Sequence, residues 1–167
     1  MKKKWQYFDG KFDTDKYKSV LIDYSPWSGH RRFAYDLITY YEPDVIVELG
    51  SFYGCSTFSF MQAIKDNSLE TTIYPIDLWQ QMDHYTFNDY KKDVYASFMN
   101  IYEREFSTIK ANIMRMLFDD AVQYFADGTI DILHIDGSHS YCDIKNDFEK
   151  WVSKVKKTGM ILFHDIS

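Results

Sequence analysis

Two segments of the 167-residue sequence, a glycine-containing turn and an acidic side chain further along, together suit a nucleoside ligand. Residues 48–54 read Glu-Leu-Gly-Ser-Phe-Tyr-Gly, and glycines after a strand let the backbone turn tightly and approach a ligand. Asp77 follows Gly50 by 27 residues, near the ~20 expected of an acid that binds ribose hydroxyls. Each feature alone is also typical of an ordinary turn or strand end, but together they favour a nucleoside site.

Two further segments carry side chains for proton transfer and metal binding. Asp136 and His139 flank a turn, and His164 and Asp165 follow a later apolar run. Histidine is the side chain best matched to general-base catalysis near neutral pH, and carboxylates with an imidazole can hold a divalent cation. The alternative for the later pair is a capping role. His134, inside an apolar run, is interpreted as a packed core histidine.

Alternating hydrophobic patterns predict the elements that position these residues. The predicted strands span 44–48, 71–76, 108–114, 130–135 and 160–163, and Pro75 weakens the second because proline donates no ladder hydrogen bond. The predicted helices span 33–41, 55–65, a segment capped by Asn88 with an apolar face reaching Tyr102, 117–125, and one running from Ile144 to Val155, closed by Gly159. On the last helix Phe148, Trp151 and Val152 are expected in the core.

Strands that alternate with helices indicate an α/β fold with a parallel sheet. Ligands bind beyond the carboxyl ends of such strands, where the acids and histidines described above are expected to gather. Residues 1–28 lack a clear period and are interpreted as an irregular lead-in, followed by a single domain over 29–167.

Composition excludes several classes of protein. The net charge of −6 argues against a nucleic-acid binder, and 46% hydrophobic residues argue against a disordered chain. No apolar run is long enough to span a membrane or to act as an export signal, and two cysteines form no disulfide framework. We therefore expect a cytoplasmic protein with reduced thiols.

The segment 45–57 resembles motif I of the class I S-adenosylmethionine-dependent methyltransferases. Residues 77–79, and above all 131–151 followed by 159–165, resemble a small-molecule and sugar O-methyltransferase branch. That branch includes macrocin-type and cephalosporin-biosynthesis enzymes and domains attached to glycosyltransferases. The stretch 132–141, Ile-Leu-His-Ile-Asp-Gly-Ser-His-Ser-Tyr, is the most specific match, and 25–35 also looks similar.

The resemblance implies a Rossmann-like three-layer sandwich with a mostly parallel sheet. It implies that the cofactor is S-adenosylmethionine and that His139 is the base. It implies a metal, Mg²⁺ or Mn²⁺, on Asp136, His164 and Asp165, although His164 departs from the usual acid. The cofactor-binding positions it implies are Glu48, Gly50, Ser51, Tyr53, Gly54, Asp77, Leu78 and Asp136.

The family fold continues for two more strands, so we expect the C-terminal strands to be missing from this stretch. A homo-oligomer or a parent multidomain chain would then complete the sheet. The expected acceptor is a hydroxyl of a sugar, glycan or secondary metabolite, covered by the loop 79–87 with Asp83, His84 and Tyr85.

The alternatives are a non-catalytic cofactor-binding module and a nicotinamide-dependent oxidoreductase. The absence of G-x-G-x-x-G counts against the oxidoreductase. Methylation of nucleic-acid bases is disfavoured by the acidic charge and by the lack of an Asn/Asp-Pro-Pro-aromatic motif.

Overall fold

The computed structural model describes residues 4–23, 25–80 and 93–164. Within them the chain forms an α/β fold built on a five-stranded parallel sheet, as predicted. The strands are β1 (Val45–Leu49), β2 (Thr72–Asp77), β3 (Met114–Arg115), β4 (Ile130–Ile135) and β5 (Val155–Phe163). The helices are α1 (Lys18–Leu21), α2 (Arg31–Tyr41), α3 (Cys55–Asp66), α4 (Val94–Ile101), α5 (Phe118–Ala121) and α6 (Tyr141–Trp151).

The described residues divide into two compact units. The helical unit comprises those within Met1–Tyr41, Phe52–Ser68 and Trp79–Ile109, and the sheet unit comprises those within Glu42–Ser51, Leu69–Leu78 and Lys110–Ser167. None of the described helices is both long and apolar enough to cross a membrane.

The sheet unit has the strand order β3-β2-β1-β4-β5, so β1 is central. One face of the sheet packs against α5 and α6, because Val47, Leu49, Leu133 and Ile135 lie in one core cluster with Trp151. The other face carries residues of opposite parity, including Glu48 and His134, which are register partners on β1 and β4.

Asp131 ties the start of the sheet together. Its Oδ2 accepts hydrogen bonds from the backbone N–H groups of Asp44 (3.1 Å) and Val45 (2.9 Å), and its carboxylate also binds Lys156 Nζ at 2.8 Å. The acid is buried, so these bonds satisfy a carboxylate that would otherwise be costly to desolvate.

The helical unit has an aromatic core of its own. The ring of Phe58 stacks on Phe98 (4.9 Å between centroids) and on Phe106 (5.4 Å). Buried Arg31 bonds Asp15 and Thr14 at 2.8 Å and covers the ring of Phe12. The predicted irregular lead-in therefore contains ordered helical turns, at Asp13–Tyr17, Lys18–Leu21 and Pro26–His30.

The C-terminal helix and strand differ from their predicted bounds. α6 ends at Trp151, a 3₁₀ turn spans Val152–Lys154, and β5 begins at Val155 rather than at residue 160. Gly159 lies inside β5, where a Cβ would come within 2.9 Å of the Asp131 carbonyl oxygen beside a register shift in β4. Gly159 thus allows two strands to approach closely and does not end a helix. Val152, predicted in the core, is exposed.

The sparse pairing between β2 and β3 explains how β2 tolerates Pro75. The N–H of Ile73 donates to the carbonyl of Lys110, and its carbonyl accepts the N–H of Asn112. Pro75 lies two residues further on, so its nitrogen, which carries no hydrogen, faces the same neighbouring segment. The contacts along that side are reduced to an isolated bridge at Ala111 and the two-residue β3, in place of the predicted strand over 108–114.

The remaining helix prediction lies partly outside the described residues. Asn88 is not among them, and the described helix α4 is capped by Asp93, whose side chain accepts a hydrogen bond from the N–H of Ala96. The loop residues Asp83, His84 and Tyr85 likewise lie outside the described residues.

Candidate functional site

Three backbone hydrogen bonds join the carboxyl ends of four neighbouring strands, β2, β1, β4 and β5. The N–H of Gly50 donates to the carbonyl of Ile76 (2.9 Å), that of Asp136 to Leu49 (2.8 Å), and that of His164 to Ile135 (3.2 Å). The sheet ladder therefore continues past the strand ends, and the predicted residues Gly50, Asp136 and His164 lie along one edge.

Replacing Gly50 by any other residue would require the backbone to move. Its φ is +91°, and a Cβ there would lie 2.2 Å from the carbonyl oxygen of Asp136. The turn after β1 is therefore wedged against the turn after β4.

Ser51 connects the predicted acids of this edge. Its N–H donates to Asp77 Oδ2 (3.0 Å), and its Oγ donates to Glu48 Oε2 (2.7 Å). Glu48 and Ser51 are both buried, whereas Asp77 is partly exposed. The bonds hold the Asp77 carboxylate at the strand end, where it can accept hydrogen bonds from a polar ligand.

Sequence reasoning missed the partner of Glu48. His134 is buried, as predicted for a core histidine, but its Nδ1 also lies 3.0 Å from Glu48 Oε1. The sequence indicates only that His134 shares a face of its strand with Asp136, two residues on, and does not identify Glu48 as its partner.

Two of the predicted cofactor residues, Tyr53 and Gly54, belong to the helical unit. Tyr53 is buried, and Gly54 precedes α3 with φ +93° and accepts the N–H of Phe58 at 2.8 Å. A Cβ on Gly54 would meet the ring of Phe58 at 2.4 Å, so this position also favours glycine.

Leu78 and Trp79 directly follow Asp77, the predicted ribose ligand. Leu78 is half-buried and its carbonyl accepts a hydrogen bond from Arg115 Nε (3.2 Å) in the sheet unit. In the helical unit Trp79 is buried and its Nε1 donates to the carbonyl of Phe52 at 2.7 Å.

The structure brings together two of the three predicted metal ligands. His164 Nδ1 lies 3.2 Å from Asp136 Oδ1, and both side chains are mostly buried. The third, Asp165, is outside the described residues. Across 4–23, 25–80 and 93–164 no group of three His, Cys, Asp or Glu side chains is arranged as a metal site.

The predicted base lies on the turn that follows β4. His139 is exposed, and next to it Ser138 and Ser140 donate hydrogen bonds to Asp143, which lower the pKa of that carboxyl. The turn is thus tied to the first turn of α6, and it leaves the His139 imidazole accessible to an incoming molecule.

A buried acid lies beneath the same turn. Burial, reinforced by the charges of Asp119 and Asp143, raises the pKa of Asp147 to about 6. A Cβ on Gly137 would stand 3.7 Å from Asp147 Oδ2 and 2.6 Å from the ring of Phe118, so α5 and α6 both support the turn.

A protein family matches most of this chain. The sequence profile described as "Methyltransferase domain" matches residues 47–166, a span that contains the turn after β1, Asp77, Asp136 and His139.

A curated relative and two solved structures are also similar to this chain, the structures in fold. An uncharacterized protein, y4gI of Sinorhizobium fredii, is 35% identical over 142 residues, which are 85% of this chain and 15% of that protein. The SAH-bound methyltransferase PaMTH1 of Podospora anserina has a TM-score of 0.64 at 10% identity, over 89% of this chain and 59% of its own. The O-methyltransferase TomG of Streptomyces achromogenes, in complex with SAM, has a TM-score of 0.63 at 15% identity, over 90% and 61%. The chain therefore spans less than two thirds of each of these proteins.

Proposed function

The chain belongs to this family of methyltransferase domains, and we propose that it transfers a methyl group from S-adenosylmethionine (SAM) to a hydroxyl oxygen. The observation that carries the proposal is the hydrogen-bonded link from Glu48 through Ser51 to Asp77 at the ends of β1 and β2. The SAM- and SAH-bound neighbours of the same fold support this choice of cofactor.

The donor set at this edge fits a nucleoside. Asp77 supplies a partly exposed carboxylate, which can accept the two hydroxyls of a ribose, and the Ser51 N–H holds that carboxylate in place. The turn at Gly50 lies directly against the backbone of Asp136, with no room for a side chain between them. The residues we propose to bind the cofactor are Glu48, Gly50, Ser51, Tyr53, Gly54, Asp77, Leu78 and Asp136.

We propose His139 as the general base. SAM supplies an electrophilic methyl group on its sulfonium; as the acceptor oxygen bonds to the methyl carbon, the carbon–sulfur bond breaks and S-adenosylhomocysteine (SAH) leaves. A hydroxyl is a weak nucleophile until its proton is removed, and the exposed imidazole of His139 can take that proton. The chain's other contribution is to hold the two reactants in line.

A divalent cation on Asp136, His164 and Asp165 is part of the proposal. The 3.2 Å approach of His164 to Asp136 supplies one nitrogen and one carboxylate donor, a combination that suits Mn²⁺, while Mg²⁺ would rely on the carboxylates. When bound, such an ion lowers the pKa of a substrate hydroxyl.

We propose a hydroxyl of a sugar, glycan or secondary metabolite as acceptor, since the exposed ring of Tyr141, two residues after His139 in the sequence, offers an apolar surface for a small ring. A homo-oligomer or a longer parent chain would cover the outer edge of β5. The exposed free thiol of Cys142 suits a reducing, cytoplasmic location.

Isothermal calorimetry with SAM, SAH and NAD tests the proposal directly. We expect SAM and SAH to bind and NAD not to, and Asp77→Ala to weaken SAH binding by about 1.5–3 kcal/mol, because charge-assisted hydrogen bonds are lost. Asp23→Ala, which removes an exposed acid from the helical unit, is the matched control and should leave the Kd unchanged. Absence of SAM and SAH binding would contradict the methyltransferase function, and NAD binding alone would favour an oxidoreductase.

A further inference from the structure

A continuous chain of polar contacts crosses three neighbouring strands of the sheet unit. It begins at His134 on β4, passes through Glu48 on β1 (3.0 Å) and Ser51 (2.7 Å), and ends at Asp77 on β2 (3.0 Å). The chain joins a deeply buried histidine to the acid we propose as the ribose ligand.

The burial of its first two members makes their pairing energetically important. Glu48 and His134 are 0% and 1% exposed. A buried carboxylate is costly unless it is hydrogen-bonded, and an ionised Glu48 can only accept, so the His134 tautomer with its proton on Nδ1 is the one that satisfies this contact. The two oxygens of Glu48 thus contact different groups, Oε1 the Nδ1 of His134 and Oε2 the hydroxyl of Ser51.

We infer that His134 is a positioning residue for the cofactor pocket: it fixes Glu48, Glu48 fixes Ser51, and the Ser51 N–H orients the carboxylate of Asp77. The inference rests on the proposed function, since it concerns the same pocket. His134 itself contacts no ligand in this scheme.

The contacts explain why a change at His134 should alter the position of the Asp77 carboxylate. If the donor at residue 134 is lost, Glu48 Oε1 loses this buried contact, which favours a turned or a protonated carboxyl group. Either change alters the acceptor offered to Ser51 Oγ, and Ser51 is the residue whose N–H holds Asp77. The wedge at Gly50 limits how far the turn can compensate.

Two substitutions separate the donor from the bulk of the ring. His134→Asn places an amide N–H₂ near the position of Nδ1, whereas His134→Leu fills the space without a donor. By calorimetry with SAH, at a temperature where circular dichroism shows each variant folded, we expect Leu to raise the Kd by about 10–100-fold, in keeping with the loss of a charge-assisted bond. Asn is expected to stay within about threefold of the wild type.

A double-mutant cycle tests the route. Ser51→Ala removes the hydroxyl link but keeps the N–H, so His134→Leu should weaken SAH binding much less in that background than in the wild type. Additive effects of the two changes, or an unchanged Kd for His134→Leu alone, would overturn the inference while leaving the proposed function intact. Failure of the wild-type chain to bind SAH would overturn both.

A measurement on the unaltered chain applies if His134→Leu does not fold. In ¹⁵N-histidine NMR the Nδ1 signal of His134, identified by its loss in His134→Asn, is expected to shift when the chain is saturated with SAH. A signal that stays in place while SAH binds would contradict coupling between His134 and the pocket.

Discussion

His139 is the residue whose removal should separate chemistry from binding. Because we assign it to proton removal alone, His139→Ala is expected to lower turnover by about 10²–10⁴-fold while the Kd for SAH stays nearly unchanged. The measurement is the rate of SAH formation with an acceptor found by screening sugar and phenolic hydroxyl compounds.

His30 provides the matched control for this change, since it is the other exposed histidine among the residues the structure describes. Equal turnover of His139→Ala and wild type would exclude His139 as the base. The same assay in EDTA tests the cation: we expect transfer to stop and to return with Mg²⁺ or Mn²⁺, and unchanged turnover would remove the metal from the proposal.

Asp147 should make the stability of the protein depend on pH. Its pKa is about 6 in the folded chain and 3.8 in the unfolded chain, so the unfolded state loses its proton first and stability falls as the pH rises from about 4 to 6. Asp147→Asn removes this penalty, and we expect it to raise the free energy of unfolding at pH 7 by about 1–2 kcal/mol, a value reduced for solvent screening. At pH 4 the gain should vanish.

Urea unfolding at the two pH values checks this expectation, and Asp143→Asn is a control of opposite sign. The pKa of Asp143 is lowered by the hydroxyls of Ser138 and Ser140, so its charge stabilises the fold at pH 7 and its removal should destabilise it. A loss of stability in Asp147→Asn at pH 7 would mean that its carboxylate has a favourable role.

At the scale of elements, α6 packs against the core of the sheet unit through buried Trp151, with half-buried Phe148 beside the same cluster. Trp151 is fully buried against Phe125, and its Nε1 finds no hydrogen-bond partner among residues 4–23, 25–80 and 93–164. Trp151→Ala should therefore cost about 3–5 kcal/mol of unfolding free energy through the cavity it leaves. Trp151→Phe is expected to cost about 1 kcal/mol or less, since it leaves no polar group without a partner.

Denaturant titrations of the two variants measure the difference. Similar losses for Phe and Ala would indicate that the indole nitrogen has a partner in the folded protein, and a small loss for Ala would contradict the role of Trp151 as the centre of this contact.

The elements that could be predicted are those whose pattern is local. β1 and β4 are short apolar runs, α3 follows a glycine, and their order along the chain is enough to indicate a parallel sheet with polar residues at its carboxyl edge. β5 was predicted to start too late, because Gly159 resembles a helix end until its close approach to β4 is known.

The contact between Glu48 and His134 could not be predicted, because it depends on how β1 and β4 are aligned. Glu48, Asp77 and Asp136 could be placed at strand ends from the sequence, but the contact between Glu48 and His134 requires that β1 and β4, which are not consecutive, pair side by side. No periodicity along the chain encodes that alignment.

At the scale of the whole molecule, ligand binding should appear as heat stability. A ligand that binds only the folded state at 100 times its Kd adds about 2.7 kcal/mol, which for a chain of this length corresponds to a rise in Tm of about 5–10 °C. We expect this rise with SAH and not with NAD, followed by differential scanning fluorimetry. The Asp77→Ala variant should show a smaller rise at the same SAH concentration, and an equal rise would contradict the assignment of Asp77.

The pairing of Glu48 with a residue 86 positions further along has a consequence for synthesis on the ribosome. At about 5–20 residues per second, roughly 4–17 s pass between the making of these two side chains. Throughout that interval the nascent chain holds the turn, Ser51 and then Asp77, but not the strand that fixes them. The arrangement that would hold a nucleoside can therefore form only late in translation, when β4 emerges. Glu48 leaves the ribosome before its partner His134 has been made.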